Sequence, residues 1–288
     1  MSLVFSLDLN LPRSAEEAPG DEIVLPGTSN RTVILIHGLT GSPNEMRHLA
    51  FTLNKAGYGV HCPRLANHGK PLHILKHSTW EDFYAPLRDL FLRLTGTGER
   101  VFVAGLSMSA LFVLLLAEEF GEKLAGGICL SPTLFFDGWS VPWYHRLLPL
   151  ASYTPLKYNL YFKESDPYGI KNPAIRAMVD RHYRKATLSD MGDVSKFGYP
   201  YFPVSLIHQL ARLIRRVRPL LDRVRAPILL IHPRDDDTAS VRNSQIILDR
   251  ISSPIKELVI LTDSYHIITA DNEREKVAAD MQAFLDRL

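Results

Sequence analysis

The chain is short of several things, and each shortage closes a class of function. Two cysteines in 288 residues, Cys62 and Cys129, are too few for a disulfide framework, and neither sits in a redox or catalytic motif. Charge of one sign is lacking as well: the formal net charge is +2, so no strong field argues for nucleic acid or highly acidic partners. The longest apolar run, Ala110 to Ala117, falls far below the roughly 20 residues that a membrane span needs. There is no phosphate-cradling glycine loop, no nicotinamide fingerprint, no internal repeat and no low-complexity segment. The opening stretch MSLVFSLDLNLP has acidic and proline breaks and no basic leader, so no signal peptide is expected. Hydrophobic residues make up 46% and charged residues 22%, the balance of a soluble globular protein, and a reduced, cytoplasmic location is expected. Oligomeric state is not legible.

What is present is alternation. Short β-branched or apolar runs occur at Glu22–Leu25, Thr32–Ile36, Gly59–Cys62, Val101–Ala104, Gly127–Leu130, Pro227–Ile231 and Leu258–Leu261. Helical patterns separate most of them. Ser42-Pro43-Asn44-Glu45 reads as a capping box with proline at the first helical position, and Gly57 closes that helix. Ser78-Thr79-Trp80-Glu81 opens another, and the helix after Ser107 ends at Gly121. Continuous apolar strands imply burial on both faces, hence a mostly parallel sheet with helices on either side, an α/β fold.

The rhythm breaks once. Between Thr133 and about Pro219 prolines and aromatics crowd together, among them Phe136, Trp139, Trp143, Tyr144, Tyr161 and Phe162, with no clean strand–helix order. This reads as a mainly helical insertion, residues 133–219, over a core formed by residues 1–132 and 220–288.

One joint stands out. In Val101–Phe120 a buried strand hands over to a buried helix through Gly105-Leu106-Ser107-Met108-Ser109. A sharp strand-to-helix turn with a nucleophile at its apex is written G-x-S-x-G, because residues two before and two after the serine must be small. Gly105 obeys, whereas Ser109 is the next-smallest substitute. Taken alone, the stretch fits a nucleophile turn or a strand–helix joint with an N-capping serine. Three further segments bear on the choice. Ile36-His37-Gly38-Leu39 ends the first long strand and can aim a backbone N–H into a site, so the amides of Leu39 and Met108 are candidates for an oxyanion hole. His232-Pro233-Arg234-Asp235-Asp236-Asp237 puts carboxylates after a strand, and Asp263-Ser264-Tyr265-His266 puts a histidine after the next. The order serine, acid, histidine, each past its own strand, is the order this architecture requires.

These segments carry a resemblance. HGLTGSP, AGYGVHCPRLANHG, GLSMS and SYHIITAD, with a final AFLDRL, resemble the α/β-hydrolase family, and within it bacterial carboxylesterases and monoacylglycerol-lipase-like hydrolases. The likeness spans His37–Gly69, Val101–Pro132 and Pro227–Leu288, and it implies that residues 133–219 form the family's variable cap. In that family the acid sits in a strand-end G-x-x-D pattern. Here Pro233 replaces the glycine, and the pattern selects Asp236.

The expectation is a serine hydrolase cleaving carboxylic esters, with Ser107 as nucleophile, His266 as base and Asp236 as acid. Such chemistry needs neither metal nor organic cofactor. The aromatic-rich insertion suggests a small-molecule ester with a hydrophobic acyl or alcohol group. A thioesterase, an amide- or peptide-cleaving enzyme, and a non-catalytic binding protein on the same fold remain alternatives. His61, His68, His73 and His77 cluster without the partner spacing of a metal site. Leu210–Arg225 reads as a surface helix packing its apolar face inward, split at Pro219.

Overall fold

The computed structural model describes residues 2–5, 22–143, 152–186 and 198–288. Tyr144 and most of the opening stretch lie outside these. All seven expected strands form, as β2 (Ile23–Leu25), β3 (Arg31–Ile36), β4 (Gly59–Cys62), β5 (Arg100–Leu106), β6 (Gly126–Leu130), β9 (Ile228–Pro233) and β10 (Lys256–Leu261). They make one sheet in the order β10-β9-β6-β5-β3-β4-β2, in which only β2 runs antiparallel to its neighbour.

Burial on both faces explains the unbroken apolar strands. Along β3, Val33 and Leu35 pack on one side while Ile34 and Ile36 pack on the other. Phe102 and Ala104 of β5 likewise oppose Val101 and Val103, as a period-2 backbone dictates. One layer is completed by α1 (Arg47–Lys55) and the helix Arg274–Arg287 at the chain's end; the other is built largely on α3 (Trp80–Gly96) and α4 (Ser109–Phe120), following a single turn α2 at Leu72–Leu75. Helix α4 is buried from Ser109 through Ala117, which is why it is apolar on every side. Its end at Gly121 and that of α1 at Gly57 fall where expected, each glycine at positive φ.

The insertion is richer than expected. It holds α5 (Pro173–Lys185) and α6 (Val204–Val217), but also two strands, β7 (Leu160–Lys163) and β8 (Tyr201–Pro203). With β1 (Ser2–Phe5) these form a second, antiparallel sheet in the order β1-β7-β8. The first strand thus pairs with β7 rather than with the seven-stranded sheet, and no local pattern announces a partner over a hundred positions away. Helix α6 buries Leu206, Leu210, Leu213 and Val217 and exposes Arg215 and Arg216, and a tighter turn from Arg218 carries Pro219. Among the described residues, no helix is long and apolar enough to cross a membrane.

Candidate active site

Five strand ends meet at one edge of the sheet. Ser107 follows β5 directly, with φ at +56° in the left-handed region that an ordinary side chain avoids. The strain is held by two neighbours. Its N–H donates to the carbonyl of Leu130 at the end of β6, 2.8 Å away. Gly105 lets the following helix close in, since a Cβ there would meet the carbonyl oxygen of Ser109 at 2.2 Å. Small residues are thus required on the strand side of the turn, as the motif demands.

His266, past β10, is buried and places Nε2 2.9 Å from the Ser107 Oγ. Its Nδ1 lies 2.8 and 3.0 Å from the two oxygens of Asp236, past β9. A carboxylate only accepts, so Nδ1 carries the ring proton and Nε2 is left to accept from the serine hydroxyl. Burial works against charge on the imidazole, but the Asp236 carboxylate outweighs it and the pKa ends above the ordinary histidine value. For Asp236 burial also opposes ionisation, yet His266 and His232 hold the carboxyl well below the usual range. One oxygen of Asp236 also takes the N–H groups of Thr238 and Ala239, both at 2.8 Å.

The neighbouring carboxylates point elsewhere. Asp235 is exposed and pairs with Lys171 at 3.6 Å. Asp237 is buried and accepts the backbone N–H of His266 at 3.3 Å. Behind Asp236 stands His232, fully buried, to which the sequence assigned no role. Its Nε2 donates to the Ala239 carbonyl at 2.8 Å and lies 3.3 Å from Asp236, while Nδ1 meets the Ser244 hydroxyl at 2.8 Å.

The loop after β3 is pinned group by group. The Ser109 hydroxyl donates to the His37 carbonyl, the Gly38 N–H donates to Glu45, and His68 Nε2 donates to the Leu39 carbonyl at 2.8 Å. The Tyr199 N–H, from the insertion, donates to the Thr40 carbonyl at 2.7 Å. No described residue takes up the N–H of Leu39 or of Met108. Glu45 is a correction: the expected capping box does not form, because Ser42 makes no side-chain cap bond and the Glu45 carboxylate turns to Gly38 instead. Thr79 caps the next helix, in a capping box with Asp82, within the stretch expected to open it.

The aromatics of the insertion and the clustered histidines make the following contacts. Trp139 is 60% exposed, edge-on to Tyr265 and bonded to the Asp235 carbonyl, while Phe136 packs against the core. His77 stacks on Tyr158, and His68 is buried against Phe83 and Tyr199. Among the described residues no group of three His, Cys, Asp or Glu side chains is placed to hold a metal ion. A residue missed by sequence reasoning is Thr133, whose hydroxyl lies 3.2 Å from the Ser107 Oγ.

The model of the family described as serine aminopeptidase, S33, matches residues 27–274. The chain belongs to that family. This S33-family chain is similar to a thermostable monoacylglycerol lipase of Bacillus sp. (strain H-257), with 29% identity over 85% of this chain and 86% of that one. It is 25% identical to a carboxylesterase of Bacillus subtilis (strain 168), over 90% of this chain and 94% of the other. A solved structure among the metagenome-derived lipolytic enzymes LipS and LipT superposes with a TM-score of 0.77 at 28% identity, covering 95% of this chain and all of that one. The S33-family chain is an α/β hydrolase and an enzyme of the serine hydrolase kind.

Proposed function

We propose that this hydrolase cleaves carboxylic esters through an acyl-enzyme, with Ser107, His266 and Asp236 as its triad. The observation that carries the reading is the pair of His266 bonds, Nε2 to the Ser107 Oγ at 2.9 Å and Nδ1 to Asp236 at 2.8 Å. The serine proton passes to Nε2 as Oγ attacks the ester carbonyl, and Asp236 stabilises the imidazolium. The oxyanion is received by the N–H groups of Leu39 and Met108, a contribution of roughly 3–4 kcal/mol per donor in a comparable hydrolase. The imidazolium then gives its proton to the departing alkoxide. A water, deprotonated by His266, releases the acid and restores Ser107.

Residues 133–219 act as the cap and, with the core beneath, enclose the acyl or alcohol group, which the apolar composition suits to a hydrophobic ester. Thioesters and amides react by the same steps, and the family's description names an aminopeptidase. The names lipase and carboxylesterase borne by relatives along most of their length support the ester reading. The test offers p-nitrophenyl esters of graded acyl length, acyl thioesters and aminoacyl anilides in parallel, with a fluorophosphonate probe. Esters should turn over fastest, and Ser107→Ala should abolish both turnover and labelling. Preference for the anilide or thioester would replace the substrate class. No turnover and no labelling would leave a binding protein.

A further inference from the structure

The end of β6 runs beside the end of β5, with Leu130 opposite Leu106, and it supplies more than a backbone anchor for Ser107. Just past it the chain turns back: Ser131 has φ of +44°, and its N–H is tied to the Ile231 carbonyl at 2.9 Å. This turn delivers Thr133, completely buried, so that its Oγ1 lies 3.2 Å from the Ser107 Oγ. Among the described residues, the other acceptor in reach of that hydroxyl is the Ser131 carbonyl at 3.5 Å, at the limit of a useful bond.

Proton counting gives the contact a direction. The Ser107 hydroxyl has one proton and two lone pairs. His266 Nε2 is an acceptor, because the ring proton on Nδ1 faces Asp236, so the serine proton goes to His266 at 2.9 Å. Between the two hydroxyls Thr133 must then be the donor. The reverse order would leave Nε2 without its proton and send the Thr133 proton to the more distant Ser131 carbonyl.

We propose that Thr133 is a further catalytic residue, whose hydroxyl donates to the Ser107 Oγ and takes up the negative charge that gathers there. The proposal rests on the serine hydrolase reading above. As the serine proton moves to His266, charge builds on Oγ, and a donor already in place needs no reorganisation to meet it. One lone pair stays on Thr133 while the other attacks the ester carbonyl, which fixes the direction of attack. Once Oγ has become the ester oxygen of the acyl-enzyme it accepts poorly, and the Thr133 proton turns to the Ser131 carbonyl. When water expels Ser107, Oγ is the leaving group. Charge returns to it, Thr133 donates again, and the proton of the His266 imidazolium completes the hydroxyl. Both half-reactions therefore gain.

The test separates hydroxyl from shape. Thr133→Val keeps the volume and loses the hydroxyl, whereas Thr133→Ser keeps the hydroxyl and loses the methyl group. Fluorophosphonate labelling rate at Ser107, kcat and KM for a p-nitrophenyl ester, and thermal midpoint are read for each. Thr133→Val should lose about ten- to a hundredfold in labelling rate and in kcat, with KM little changed, as expected for a donor felt mainly in the transition state. Thr133→Ser should stay within about threefold of the parent. Should the valine variant not fold, Thr133→Ala against Thr133→Ser isolates the same hydroxyl. A valine variant as active as the parent, or a serine variant as impaired as the valine one, overturns the proposal and leaves Thr133 a packing residue. If the parent itself is not labelled at Ser107, it is the serine hydrolase reading that fails.

Discussion

The hydroxyl of Ser109 donates to the backbone carbonyl of His37 across 2.5 Å. This joins the first turn of α4 to the loop that carries Leu39, and it explains why a serine stands where the motif usually has glycine. The turn needs a small residue there, and Ser109, fully buried, is small enough while adding a bond that glycine could not make. The departure from G-x-S-x-G is thus a brace between α4 and the loop after β3, the two segments whose amides we propose for the oxyanion hole.

Restoring the motif should consequently do harm. Ser109→Gly removes the bond, leaves the His37 carbonyl unsatisfied in the interior and adds a flexible residue to a helix start. A cost of about 1–3 kcal/mol is expected in chemical denaturation. Ser109→Ala should cost nearly as much, since the lost bond dominates. If the glycine variant matched the parent in stability and in kcat, the brace would have no function.

Much of the fold was legible because its strands are buried on both faces. Val33–Ile36 and Ile228–Ile231 are apolar at every position, so the pattern names the sheet without any knowledge of its partners. The meeting of Ser107, His266 and Asp236 was legible because each follows a strand end in a required order, and Asp236 does bond His266. Glu45 misled because a capping box is a local pattern, and the Gly38 N–H, seven positions back, competes for the carboxylate. Thr133 carries no motif. Its place beside Ser107 comes from the pairing of β5 with β6 and the turn at Ser131, neither of which a single-chain pattern specifies. The pairing of β1 with β7 was illegible for the same reason.

Glu45 offers a pH test. Its carboxylate accepts the Gly38 N–H at 3.0 Å and lies beside Gly41, where a Cβ would collide with it. Burial raises its pKa from 4.5 to about 7, with the Gly38 bond and His266 pulling the other way. An acid whose pKa is higher in the folded state binds its proton more tightly there. Its stabilising effect is full below 4.5 and is lost as pH rises through about 7. Glu45→Gln keeps an acceptor for Gly38 and cannot ionise. It should match the parent near the acid end of that range and exceed it by roughly 1–2 kcal/mol above pH ~8, discounted for partial solvent contact. Thermal melts at both ends decide, and an equal difference at each would refute the linkage.

The choice among three aspartates is the sharpest test of the site. Asp236 alone reaches the His266 imidazole, at 2.8 and 3.0 Å. Asp237 reaches only the backbone N–H of His266, and Asp235 faces solvent beside Lys171. Asp236→Asn presents an amide that can donate to Nδ1, which moves the ring proton to Nε2 and removes the acceptor that Ser107 needs. A fall in kcat of about ten-thousandfold is expected, the scale of the equivalent change in a serine protease. Asp235→Asn and Asp237→Asn should remain within roughly tenfold of the parent, about 1.4 kcal/mol in barrier. The pH profile adds a second reading. Catalysis needs neutral His266, so kcat/KM of the parent should rise with pH through a midpoint above the ordinary histidine value of 6.5. Without the Asp236 carboxylate, burial loses its largest opponent, with only Asp237 and Glu164 still raising that pKa, and the residual activity should titrate at lower pH. A midpoint that moves upward in Asp236→Asn, or a deeper loss in Asp237→Asn than in Asp236→Asn, would move the acid to another residue while leaving Ser107 and His266 in place.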